Sequence, residues 1–190
     1  MPFKITLIDN AVDEINALRC DLELYLDIAK DDDIPESEQY YAIKRCIKQL
    51  ICSWELLLKY CLQHFDWKQI FADPKKASIA KLQSGNFCSV KFHEAIGRLA
   101  EHHVSMPFDN LNKLHRFRNQ IEHHQIDMSL QEVISVLLSA IDELEEFYTR
   151  FVCDVAEDER VLSRGSMMFY ELTETKESLL KLLEEEFFHD

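Results

Sequence analysis

Glycine and proline are scarce, with three and four residues in a chain of 190. So few turn-makers over this length favour long helices over many short strands. Long apolar runs are also missing. None approaches the ~18 residues that span a bilayer, so no membrane partner is expected. The six cysteines, Cys20, Cys46, Cys52, Cys61, Cys88 and Cys153, form no CxxC pair. That removes the usual basis for a zinc ribbon or a thioredoxin-type motif. The opening residues, MPFKITLIDN, lack the layout of a secretory leader. A cytoplasmic location is therefore expected, with reduced thiols serving as small buried hydrophobes. Positive charge is in short supply: 21 Lys and Arg stand against 35 Asp and Glu, a net charge of −14.

What positive charge there is lies together. Residues 1–40 carry a net −8, residues 41–126 a net +6 and residues 127–190 a net −12. A basic middle attracts a polyanion locally, while acidic ends discourage broad, nonspecific coating. Charge alone fits a salt-bridged helical bundle without a ligand equally well. Hydrophobic residues make up 47% of the chain, enough for one domain with a sizeable core, or one domain with an appendage.

Apolar spacing predicts a helix over 9–30, then a long one from about Ser37, as N-cap, to Phe65. The segment 66–91 is irregular and lysine-rich, with a short helical turn at Ser78–Leu82 and a loop at SGN. Helical spacing returns over 92–103. Pro107 suits the start of the next helix, with Ser105 near its N-cap, and that helix runs to about His124. Ser129 and Glu132 have capping-box spacing ahead of a helix over 129–153. SRGS (163–166) reads as a break, MMFYELT as a strand or a helix start, and ESLLKLLEEEFF as a helix. FKITLI (3–8) alternates weakly, so a small two-stranded element joining the ends of the chain is an expectation. The expected division is a helical domain over 1–153 and an acidic, helical segment over 154–190 packed on it.

The densest chemistry is HRFRNQIEHH, residues 115–124. At ~100° per residue, Leu114, Phe117 and Ile121 share one edge of a helix. His115, Arg118, Asn119, Glu122 and His123 follow helical spacing on another side, with Asn119 and His123 one turn apart. These residue types suit phosphate-ester chemistry. A histidine moves protons near neutral pH. An arginine offers a fork of donors to a phosphate, and an asparagine orients either. RNA brings its own nucleophile, the 2′-hydroxyl, so no metal and no cofactor is required.

Spacing alone is a weak signal. Roughly one Arg-x4–6-His match is expected by chance in such a chain. Arg98-Leu-Ala-Glu-His-His103 has the spacing, but an apolar residue follows its arginine. Arg118-Asn119-Gln-Ile-Glu-His123 has a polar one. A metal site from His102, His103, His123 and His124 with Glu101 or Glu122 is an alternative, although adjacent histidines diverge by ~100° on a helix.

LHRFRNQIEHH at the end of an amphipathic helix, followed by a long capped helix ending in EEFYTRF, resembles the HEPN superfamily. Its signature is Arg, a polar residue that is often Asn, three to five more residues, then His. The resemblance is most specific over 108–152 and extends more loosely over 9–153. It implies an all-α antiparallel helical bundle and metal-independent RNA cleavage at a site shared across a two-fold dimer. Arg118 would hold the scissile phosphate, His123 would act as acid and base, and Asn119 would position them. Arg116, His115, His124, Lys113, Lys75 and Lys76 are the candidate RNA contacts around them. The implied partners are RNA, a second copy of the chain, and an antitoxin or defence-complex protein. A toxin or antiphage effector is the implied role, and a catalytically silent interaction module is the alternative. Many toxin members paired with a nucleotidyltransferase antitoxin have a tyrosine two residues after the motif histidine; here that position is Gln125.

Overall fold

The structure, a computed structural model, describes residues 6–31, 33–123, 129–156 and 158–187; for residues 122, 123, 186 and 187 it describes the backbone alone. The helices are α1 (Leu7–Ala29), α2 (Glu36–Phe65), α3 (Ile79–Ser84), α4 (Phe92–Glu101), α5 (Asp109–His123), α6 (Leu130–Phe147), α7 (Cys153–Val155) and α8 (Glu159–Phe187). A π turn, Tyr148–Val152, joins α6 to α7. Among the described residues there is no strand, only an isolated bridge between Phe71 and Ser89. The protein is thus all-α. No described helix is long and apolar enough to cross a membrane.

Helix α2 is the central element. Its wide apolar face buries Ile43, Ile47, Leu50, Trp54, Leu57 and Leu62 against α1, α5 and α6. Trp54 is fully buried, with Phe108 at 5.7 Å edge-on and Phe147 at 5.2 Å. Its indole N–H donates to the Ala140 carbonyl at 3.4 Å, which satisfies the one polar atom of the ring. Helix α8 packs on α1 and α6, and its Phe169, Leu172 and Leu179 join the same core.

Several local expectations change. Thr6 and Asp9 form a capping box, Thr6 N–H donating to the Asp9 carboxylate at 2.9 Å and Asp9 N–H to the Thr6 hydroxyl at 3.2 Å. Leu7 and Ile8 are therefore helical and not part of a strand; residues 3–5 lie outside the described residues. The SRGS break is absent, because Gly165 lies inside α8. A Cβ there would collide with the Tyr148 hydroxyl and sit 2.6 Å from Cζ, so the glycine admits a ring rather than a turn. MMFYELT lies within the same helix, so the two-stranded element does not form there. Helix α2 starts one residue before Ser37, with Pro35 at the cap position.

Pro107 and Ser105 do not open α5, which begins at Asp109. Residues 104–108 are non-helical and tuck Val104, Met106 and Phe108 inward. The start of α5 is capped instead by a distant residue. The Glu143 carboxylate of α6 accepts from Asn110 N–H at 3.0 Å, Asn110 Nδ2 at 2.9 Å and Leu111 N–H at 2.9 Å. A negative charge there also suits the helix dipole. Helix α4 stops at Glu101, two residues early, and His103 takes the left-handed φ of 62°. The Ser129–Glu132 capping box forms as expected.

The six cysteines are all free thiols. Cys46 and Cys61 are buried, while Cys20 and Cys88 are exposed. The expectation of small buried hydrophobes therefore does not hold for those two.

Candidate functional site

Phe108, just before α5, touches Trp54, whereas Arg118 and Ile121, near its end, meet the segment Glu38–Lys48. Helix α5 therefore runs antiparallel to α2. Leu111, Leu114 and Phe117 are buried and Ile121 is half-buried, which fixes the rotation of the helix. The polar side then divides. Asn119, Arg116 and Lys113 face solvent, and Arg116 Nε donates weakly to the Asn112 carbonyl at 3.4 Å. His115 is half-buried and stacks on Phe92 of α4, ring centres 5.0 Å apart, with His93 at 5.4 Å.

Arg118 turns to the other neighbour. It is half-buried and lines a cleft of about 360 Å³ between α2 and α5, with Glu38, Tyr41, Lys44, Arg45, Ile47, Lys48 and Ile121. Four cationic side chains face one carboxylate across an apolar floor. Asp21 of α1 takes part of that charge, accepting from Arg45 Nε at 3.0 Å. The charge is felt at Cys52, one turn beyond Lys48. Burial pushes the Cys52 thiol up, Glu14 and Glu55 add to the rise, and Arg118 and Lys48 oppose it.

His123 is the last residue of α5. His124 and Gln125 lie outside the described residues, as does the side chain of His123. The structure thus brings together Arg118 and the basic face of α2. Lys75 and Lys76 are exposed on a short turn elsewhere, and neither lines this cleft; Lys76 pairs with Asp73 at 3.2 Å.

Arg98, the other arginine with the motif spacing, has a different environment. Its side chain is only 12% exposed. The guanidinium donates to the carbonyls of Gln69 at 2.5 Å, Phe71 at 2.8 Å and Ala72 at 3.1 Å, and to Glu94 at 2.5 Å. It fastens the 66–91 segment to α4 and has little left for a ligand. Phe71 and Phe87 stack at 4.0 Å and Trp67 meets Phe71 edge-on at 5.9 Å, so these rings pack within that segment. His102 stacks flat on Phe65 at 4.3 Å. Among the described residues no group of three or more His, Cys, Asp or Glu is placed to hold a metal ion.

The α2 wall of the cleft is absent from the sequence-based candidates. Its signal was present: Tyr41, Lys44, Arg45 and Lys48 recur at three- and four-residue spacing, on the edge of the apolar face of a core helix.

The fold and cleft define an all-α protein with a basic groove in an otherwise acidic molecule. The chain belongs to the family described as Domain of unknown function (DUF3644), which it matches over residues 36–178. That span takes in both walls of the cleft and most of α8. No curated protein and no solved structure matches the chain.

Proposed function

We propose that this protein is a metal-independent endoribonuclease of HEPN type, acting as a dimer in toxin or antiphage defence under the control of a partner. The observation that carries the reading is the position of Arg118. It lines a basic cleft five residues before His123, on the one helix whose sequence carries the HEPN-like motif. Arg98, with the same spacing, is consumed by backbone carbonyls.

In this reading Arg118 holds the scissile phosphate and stabilises charge as it develops. The ribose 2′-oxygen attacks the adjacent phosphorus and the bond from phosphorus to the 5′-oxygen breaks. The products are a 2′,3′-cyclic phosphate and a free 5′-hydroxyl. His123, from one or both protomers, takes the proton from the 2′-hydroxyl and supplies one to the leaving oxygen. Asn119, exposed one turn before His123, positions the pair.

The test is purified protein with RNA in excess chelator. Cleavage is expected from wild type and lost in His123→Ala. Equal background from both ends the nuclease reading. Sedimentation is expected to give a dimer at micromolar concentration, and a monomer there would remove the composite site. If Arg118→Ala leaves the biological effect intact while a stable protein partner is captured, the protein is the silent interaction module instead.

A further inference from the structure

Tyr41 is 60% exposed, although it sits on the wall of the cleft among three cations of its own helix. What sets it apart from other exposed rings is its place, an accessible aromatic face inside a basic groove. Lys44 and Lys48 lie one turn apart, about 6 Å along the α2 axis. Arg118 faces them from α5, and Ile47 and Ile121 supply the apolar floor. Tyr41 lies at the Glu38 end, the end to which α5 runs after Arg118, so it flanks the position where the motif helix finishes.

We infer that this groove is a binding track for unpaired RNA, in which one base stacks on Tyr41 at the Glu38 end while Lys44 and Lys48 hold successive phosphates further along α2. This rests on the ribonuclease reading and adds the substrate class and the residues that select it. A duplex hides its base faces, so an exposed ring in a phosphate-binding groove selects a strand whose bases are free. Stacking tolerates any base, so the track discriminates strandedness rather than sequence. Tyr40 does not serve the same purpose; it is exposed but donates its hydroxyl to Glu36 at 2.9 Å and lies outside the cleft.

The test uses the full-length His123→Ala protein, silenced for cleavage, and a fluorescent 20-nucleotide RNA followed by anisotropy at several salt concentrations. Single-stranded RNA is expected to bind at least tenfold more tightly than the same sequence as a duplex. Tyr41→Ala is expected to weaken single-strand binding about tenfold, as loss of one stacked base does, without changing the salt dependence. Tyr41→Trp is expected to retain binding. Lys44→Gln and Lys48→Gln are each expected to flatten the salt dependence by about one phosphate contact, a slope change near 0.7. Tyr41 is at the surface, so a thermal melt matching the parent separates a binding defect from misfolding.

Equal affinity for single strand and duplex overturns the inference, as does a Tyr41→Ala affinity equal to the parent's. Binding of polyglutamate with the affinity of RNA overturns it in favour of an acidic protein partner. Failure of the two readings is separable. His123-dependent cleavage that survives Tyr41→Ala unchanged removes the track alone, and Tyr41-dependent RNA binding without cleavage in wild type removes the nuclease alone.

Discussion

Helices α4 and α5 each carry an arginine five residues before a histidine, and they use it in opposite ways. Arg98 has three backbone carbonyls and a carboxylate around it. Arg118 lines a cleft with Lys44, Arg45 and Lys48. A guanidinium has five donors in a fixed fork. Around Arg98 the fork closes a loop, and around Arg118 it lies on the wall of a basic cleft, where the proposed function has it hold a phosphate. The spacing of two residue types therefore says little about a site until the acceptors around them are known.

The comparison is broken most severely by exchanging the consequences. Arg118→Ala is expected to lower kcat/KM for RNA cleavage by about a hundredfold or more, the usual cost of removing one donor to developing charge, with a smaller fall in thermal midpoint than Arg98→Ala causes. Arg98→Ala is expected to leave cleavage per folded molecule unchanged, assayed well below its melting temperature. Comparable losses of activity from the two variants at equal folded fraction would sink the distinction.

Stability should show the reverse order. Arg98→Ala removes charge-assisted hydrogen bonds from a mostly buried group and is expected to cost about 2–3 kcal/mol. In a chain of this size that lowers the melting temperature by about 5–10 °C. Arg98→Lys is expected to recover only part of it, because an ammonium does not span three carbonyls as a fork does. A melting temperature equal to wild type in Arg98→Ala would show that the 66–91 segment is held by its aromatic packing alone.

The two helices also differ in how far they were legible beforehand. The apolar edge of α5 was readable from Leu114, Phe117 and Ile121, because amphipathic spacing is local. The Ser129–Glu132 box was readable for the same reason. The α2 side of the cleft was not found, since Lys44, Arg45 and Lys48 acquire meaning only when α5 packs antiparallel beside them. Gly165 reads as a break because glycine commonly ends a helix, whereas here it makes room for Tyr148, seventeen positions earlier. The start of α5 escapes local rules for a related reason, as its cap is Glu143, over thirty residues away. Local rules found the elements, and the contacts between elements set the site.

That remote cap gives a smaller effect. Glu143→Ala is expected to cost about 1 kcal/mol, as lost N-caps do, and to raise amide hydrogen exchange at Asn110 and Leu111 before other residues of α5. Glu143→Gln, which keeps an acceptor, is expected to lose less. Unchanged exchange at those two amides in Glu143→Ala would mean that packing of Leu111 and Leu114 alone fixes the helix start.

The smallest effect concerns charge alone. Cys52 titrates above an ordinary thiol, first because it is half-buried and then because Glu14 and Glu55 oppose the thiolate; Arg118 and Lys48 partly offset this. Removing Arg118 takes away a favourable interaction with the anion, so the thiol rises further and less thiolate exists at a fixed pH. Peptide-resolved alkylation at pH 8 should therefore proceed more slowly at Cys52 in Arg118→Ala than in wild type. The exposed Cys20 and Cys88 serve as internal references. Arg98→Ala should leave the Cys52 rate alone, because the charges that act on that thiol are those of Glu14, Glu55, Arg118 and Lys48. A faster rate at Cys52 in Arg118→Ala would mean that the side chain shields the thiol more than its charge stabilises the anion. The contrast between Arg98 and Arg118 would then rest on the cleavage and binding measurements.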